Sequence, residues 1–215
     1  MKNYLKTLIL GVGAGFCIGL AAIAYLTQGN KTLGAFLFTV GLLTILIFKF
    51  TLFTGIVGNI TENLRKKNWA YLLYVGVVWI GNFIGTFIAS VLGKSTRLAA
   101  SIIEKCDGMV LTKLNDGWLS LIVLGIFCGI MMFVAVDTFK KNIKEKDFLC
   151  VAAVFMGVMV FILAGFEHSI ADMFYFMLTG KLVDGIGVIL LVTLGNAIGA
   201  NIIPLFHLAV SKLEE

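Results

Sequence analysis

The chemistry-bearing residues of this 215-residue chain concentrate in one short run, Glu167-His168-Ser169-Ile170-Ala171-Asp172, set between the uncharged stretches Phe148–Phe166 and Met173–Gly180. An ionisable group inside an apolar, membrane-length segment is costly and marks a functional site by default. Neutral, His168 can donate one hydrogen bond to a passing solute; protonated, it would attract an anion. Glu167 and Asp172 flank it and are expected to pair with lysines and pin the segment. A Glu-His pair also suits acid–base catalysis, but no HExxH zinc motif and no Gly-x-Ser-Gly nucleophile motif accompanies it. Neither an enzyme nor a metal or cofactor site is therefore expected.

Other polar residues stand in equally apolar surroundings. Lys49 lies about 17 residues into the second apolar segment, roughly 25 Å along a helix. It either snorkels to an interface or supplies a cation near a pore. Asn82 and Asn196 each follow a glycine in a long apolar helix, and a buried Asn needs partners. Each is expected to hold one interrupted segment, and Asn196 could also orient His168 or the solute. Phe38, Leu42, Phe53 and Phe161 stand just ahead of the interruptions or within them. They are either packing residues or two apolar constrictions that gate by excluding water.

The elements that must position these residues are membrane helices. Hydrophobic residues make up 60% of the chain and charged ones 13%, with a mean hydropathy of +1.01. A soluble domain is about 45–50% apolar and about 25% charged. That excludes a soluble domain, a disordered chain and a nucleic-acid-binding module. The uncharged runs give six spans, of which the second and fifth are interrupted, at Lys49 and at the Glu167–Asp172 run. Such breaks are tolerated only where they are buried in protein or line a wet cavity. Only one proline, Pro204, occurs, so the breaks are not proline kinks; Gly55 and Gly58 can relax the first, and Gly165 precedes the second. The four cysteines form no disulfide framework, and Cys106 falls in a polar loop. The basic N-terminal segment lacks a cleavage region and is expected to stay as a helix.

Orientation follows from the Lys/Arg bias. One side holds Lys2, Lys6, Arg65, Lys66, Lys67, Lys140, Lys141, Lys144, Lys146 and Lys212. The other holds Lys31, Lys94, Arg97, Lys105, Lys113 and Lys181. Both termini are thus expected in the cytoplasm, with the protein multi-pass in the cell (inner) membrane.

The chain also repeats itself. Gly81-Asn82-Phe83-Ile84-Gly85 matches Gly195-Asn196-Ala197-Ile198-Gly199 at an offset of 114, which also pairs Gly11 with Gly125, Gly15 with Gly129 and Thr54 with His168. Three helices per half is an odd number, so residues 1–100 and 114–215 are expected to run in opposite senses. Within a single channel domain covering 1–215, such an inverted repeat puts the substrate site where the two broken helices meet. The glycines form small-xxx-small steps that let helices approach closely.

These residues resemble the formate/nitrite transporter family. The resemblance lies in Gly165-Phe166-Glu167-His168-Ser169-Ile170-Ala171-Asp172-Met173, in Leu52-Phe53-Thr54-Gly55, in the two Gly-Asn helices and in Gly125-Ile126-Phe127-Cys128-Gly129. It covers nearly the whole chain from about Lys6. It implies an all-α, aquaporin-like fold of six transmembrane helices in an inverted 3+3 repeat, assembled as a homopentamer with one pore per protomer. It further implies passage of small monovalent weak-acid anions: formate, nitrite, hydrosulfide or, in some members, lactate. By position, Phe38 and Phe161 would form the extracytoplasmic constriction, and Leu42, Leu52, Phe53 and Met132 the cytoplasmic one. Thr54 and His168 would face each other between them. Lys6, Lys113 and Glu167 match a polar network of the family.

Four departures stand out. Thr51 replaces an acidic residue and Asp172 replaces an Asn, as though a carboxylate had moved between the breaks and kept the local charge. Lys49 replaces a Gly, and Gly129 replaces an Asn and removes a pore-side amide. The chain begins almost at the first span, so the amphipathic N-terminal helix of many members is expected to be largely absent.

The leading expectation is a weak-acid anion channel, or an anion/proton symporter working through His168. An aquaporin-like channel for small neutral solutes is the alternative; the paired Asn-Pro-Ala signature of aquaporins is absent. An assembly subunit would leave His168 and the two breaks unexplained.

Overall fold

The computed structural model describes residues 2–143 and 148–213, so Lys144 and Lys146 lie outside the described residues. The described residues are helical, without strands. Nine helices follow one another: α1 (Lys2–Leu26), α2 (Lys31–Ile47), α3 (Ile60–Arg65), α4 (Ala70–Lys94), α5 (Ala99–Leu114), α6 (Trp118–Asn142), α7 (Phe148–Ala164), α8 (Ser169–Leu178) and α9 (Leu182–Ser211). Within α1, α4, α6 and α9 lie four helices long and apolar enough to cross a membrane, and α7 with α8 passes the same test as a pair, bent by 55° at the break. Leu20, Leu73, Phe87, Phe127, Leu190 and other large apolar side chains are exposed along these helices. That surface suits lipid rather than water.

The long helices pack as two close pairs, α1 against α4 and α6 against α9. Glycine makes the approach: a Cβ at Gly15 would collide with the Asn82 carbonyl oxygen, and one at Gly129 with that of Asn196. Gly129 therefore faces the backbone of α9. This corrects two expectations, that it supports a helix break and that its position is on the pore side.

α5 is an amphipathic helix in a stretch expected to be loop. Ile102, Cys106, Val110 and Lys113 are its buried stripe. Cys106 is fully buried there, its Sγ near the Tyr175 carbonyl, and not in a polar loop. α8 is buried along its whole length.

The ends of the bundle differ. The start of α1, the first break and Lys140 surround one cavity, and α3, Lys141 and the end of α9 surround another that shares Asn59 with it. Tyr25, Lys31, Lys113 and Tyr175 gather at the opposite end.

Candidate functional site

α2 stops at Ile47, and the chain then runs through two 3-10 turns, Phe53–Gly55 and Val57–Asn59, before α3. The residue that turns the backbone is Lys49, with φ 57°; the corresponding residue of the second break is Gly165, with φ 77°. Gly55 and Gly58, expected to relax the first break, keep negative φ and do not turn it as Gly165 turns the second.

Asn82 holds the first break. Its Nδ2 donates to the carbonyls of Gly11 (2.8 Å) and Thr51 (3.0 Å), and its Oδ1 accepts from Phe53 N (2.8 Å). Asn196 does the same for the second: its Nδ2 donates to Gly125 O (2.9 Å) and Glu167 O (2.8 Å), and its Oδ1 accepts from Ser169 N (2.9 Å). Backbone groups freed by a break must find partners in an apolar bundle. Asn196 is therefore engaged with backbone on all three contacts and does not bond the His168 ring.

These bonds also fix the register. Gly11, Asn82 and their counterparts Gly125, Asn196 keep the 114 offset. The breaks do not: Thr51 corresponds to Glu167 and Phe53 to Ser169, an offset of 116. Thr51 N donates to Leu10 O as Glu167 N donates to Leu124 O, which agrees. Leu52, not Thr54, is thus the counterpart of His168.

Thr54 and His168 nevertheless meet. Thr54 Oγ1 lies 3.0 Å from His168 Nε2, and both residues are buried. His168 is also the N-cap of α8, where its Nδ1 accepts from Ala171 N at 3.2 Å. A ring nitrogen that accepts carries no proton, so the proton sits on Nε2 and points at Thr54 Oγ1. Thr54 then keeps its own hydroxyl proton for a solute. The N-terminal end of α8 adds partial positive charge at the same place.

Aromatic rings pack against this pair. The Phe161 ring stacks on His168 with centroids 5.5 Å apart, and the Phe38 ring meets Phe161 edge-on at 6.1 Å. Leu42, Leu52, Phe53 and Met132 are all buried in the same core. Gly55 sits beside Leu52 and Val136.

A cavity of about 370 Å³ opens above Phe161 and His168, lined also by Lys113, Glu167 and Asp172. Lys113 Nζ bonds Glu167 Oε2 and lies 3.0 Å from Asp172 Oδ1. Lys113 comes from the unexpected α5, which is what carries it to the break. Lys6 is exposed near the start of α1, about 30 Å of helix from Tyr25 at that cavity, and is not part of this network.

A second cavity, about 470 Å³, holds Lys49, Thr51 and Lys140 among apolar walls. Lys49 is exposed there, and Lys140 Nζ donates to Gly55 O at 3.2 Å. Thr51 and Asp172 thus belong to different cavities. Asp172 does not restore the charge lost at Thr51, which corrects the expectation of a moved carboxylate.

Two anchors escaped the reading of the sequence. Asn201 bonds Val57 O, Thr61 N and Thr61 Oγ1, and Tyr71 donates to Ile56 O. The Asn201 signal was available, as a second amide in the last apolar helix.

A family model described as "Formate/nitrite transporter" matches residues 1–209. The chain is 30% identical over 197 residues to "Formate channel FocA" of Haemophilus influenzae, covering 80% of this chain and 66% of that protein. It is 28% identical over 193 residues to "Formate-nitrite transporter" of Plasmodium malariae, covering 79% and 61%. The chain thus spans about two thirds or less of the length of these relatives. Among solved structures, "Pentameric formate channel with formate bound" matches with a TM-score of 0.80 at 23% identity, covering 99% of this chain and 98% of that one. "FNT family ion channel" matches at 0.79 and 24%, covering 94% and 88%. At those identities the structural likeness speaks for the fold. With the family match running through both breaks and both Gly-Asn helices, this multi-pass membrane chain belongs to the formate/nitrite transporter family.

Proposed function

We propose that the protein is a channel that passes small monovalent weak-acid anions, formate, nitrite or hydrosulfide, across the cell (inner) membrane. The observation that carries this reading is the buried Thr54–His168 contact at 3.0 Å, with Phe161 and Phe38 stacked on one side of it. A bare anion entering an apolar slit loses hydration at a cost of several kcal/mol. The Thr54 hydroxyl, the His168 ring and the N-terminal end of α8 replace those lost hydrogen bonds. Phe38 and Phe161 form the outer constriction, and Leu42, Leu52, Phe53 and Met132 the inner one. Lys113 and, from the other cavity, Lys49 and Lys140 raise the local anion concentration.

The same reading gives the topology. Six spans form an aquaporin-like inverted repeat of residues 1–100 and 114–215, with α2 to α3 as the broken second span and α7 to α8 as the broken fifth. The matching bonds of Asn82 and Asn196 support this. Arg65, Lys141 and Lys212 belong to the end that carries α3 and the close of α9, so the positive-inside rule makes that end cytoplasmic. By likeness to the pentameric formate channel, the chain assembles as a homopentamer.

The test is flux into proteoliposomes of formate, nitrite, hydrosulfide, lactate and chloride against glycerol and urea. Weak-acid anion flux with glycerol and urea excluded is expected. Glycerol or urea flux without anion flux would overturn the reading and make the protein a neutral-solute channel.

A further inference from the structure

Two carboxylates close on one ammonium beside the pore. Lys113 Nζ bonds Glu167 Oε2 and Asp172 Oδ1, and the three side chains are only 10%, 10% and 1% exposed. Asp172 Oδ2 is buried without a hydrogen-bond partner among the described residues. An ionised oxygen in that position would be both unpaired and next to a second negative charge. With one ammonium for two buried carboxyls, the unpaired oxygen of Asp172 is relieved when that group carries a proton.

Among the described residues no other cation is free to balance the second charge. Lys31, from α2, is turned to the Leu163 carbonyl at 3.2 Å. Lys181, which lies with Cys106 at the same end, is paired with Asp107 at 2.6 Å. Tyr25 from α1, Cys106 from α5, Cys128 from α6 and Tyr175 from α8 are also near, and none of them is a cation. His168 cannot serve without giving up its cap, because Nδ1 accepts from Ala171 N while Nε2–H is spent on Thr54.

We propose that Asp172, set beside the Lys113–Glu167 pair, holds a proton, and that it lends this proton to an arriving weak-acid anion ahead of the Phe38–Phe161 constriction. This rests on the anion-channel reading and names the proton source that His168 does not provide. The Asp172 O–H bond breaks as an O–H bond forms on the anion. The neutral acid passes the constriction, and Asp172 regains a proton from water in the vestibule. On the far side the acid releases its proton to water. One proton then moves with each anion, and the cycle carries no net charge. Asp172 lines the same cavity as Phe161, so the transfer precedes desolvation.

The experiment is formate uptake by proteoliposomes of the full chain with a pH-reporting dye inside, read as protons taken up per formate. About one proton per anion is expected for the unmodified protein, with little response to membrane potential. In Asp172→Asn the ratio falls several-fold and the remaining flux responds to potential. Glu167→Gln, which also leaves one carboxylate per Lys113, behaves alike, and Asp172→Glu recovers the ratio. An unmodified protein that moves formate without protons would overturn the proposal. So would native ratios in both Asp172→Asn and Glu167→Gln. Infrared spectroscopy of the purified protein in lipid at neutral pH separates this failure from failure of the channel reading. A protonated-carboxyl C=O band, lost in both variants, supports the proton on Asp172 even if no anion crosses. Absence of the band in the unmodified protein overturns that proton whatever crosses.

Discussion

Lys49 and Gly165 stand at the same step of the two broken helices, each in the left-handed region, with φ of 57° and 77°. In both, the next residue's N–H returns to the helix carbonyl five residues behind it: Phe50 N to Ile45 O and Phe166 N to Phe161 O. Glycine takes that conformation freely, whereas any side chain there costs about 1–2 kcal/mol. The lysine at this position, exposed on a cavity that Lys140 also lines, keeps that strain in the folded protein.

Lys49→Gly is therefore expected to stabilise the fold by about 1 kcal/mol. It should also lower formate flux at subsaturating concentration by about two- to fivefold, through loss of local anion enrichment. Lys49→Gln keeps the strain and loses the charge, so it should lower flux without raising the unfolding temperature. Thermal unfolding in detergent and liposome flux together check both.

Asn82→Ala and Asn196→Ala should each destabilise strongly. Each removes three bonds to backbone and leaves buried groups unpaired, at about 1–3 kcal/mol per orphaned group. Asn196→Ala frees Ser169 N and Glu167 O next to His168, so its folded fraction should also conduct less. Thermal unfolding read beside flux per folded protomer distinguishes the two effects.

Gly129→Ala should cost at least about 1–3 kcal/mol by forcing α6 from α9, since a Cβ there meets the Asn196 carbonyl and the Ala200 amide. Gly55→Ala is the contrast: its Cβ meets Val136 at 3.4 Å, an ordinary contact, and it should leave the unfolding temperature nearly unchanged. Parallel thermal unfolding of the two variants checks the comparison.

Much of this arrangement was legible in the sequence, and the misses have physical causes. The second break could be read because a charged run inside a long apolar stretch has no other use for its length. Asn82 and Asn196 could be read because a lone amide in an apolar helix needs partners. α5 was missed because its stripe of Ile102, Cys106, Val110 and Lys113 is buried on protein, on a helix whose charged residues end an uncharged run. That omission also hid how Lys113 reaches Glu167. The offset of 116 between the breaks was hidden because helix contacts keep 114, and a two-residue difference in loop length carries no compositional mark. Lys49 drew attention for its charge, whereas its backbone conformation shows only in the structure.

Lys113→Met should destabilise by about 3–5 kcal/mol by leaving buried carboxylates without their cation. Adding Glu167→Gln and Asp172→Asn should recover much of that loss, because neutral amides remove the unpaired charge. Thermal unfolding of the single and triple variants measures the recovery.

The most direct test of the pore centre is formate flux through folded Thr54→Val and His168→Phe channels. Valine keeps the shape of Thr54 and removes its hydroxyl; phenylalanine keeps a ring against Phe161 and removes Nε2–H, now 3.0 Å from Thr54 Oγ1. Thr54 offers its hydroxyl proton to the solute and His168 holds that hydroxyl in place; losing such a hydrogen bond costs about 0.5–1.5 kcal/mol, so flux should fall by roughly two- to tenfold in each. Unchanged flux and unchanged selectivity in His168→Phe would contradict a central role for this pair.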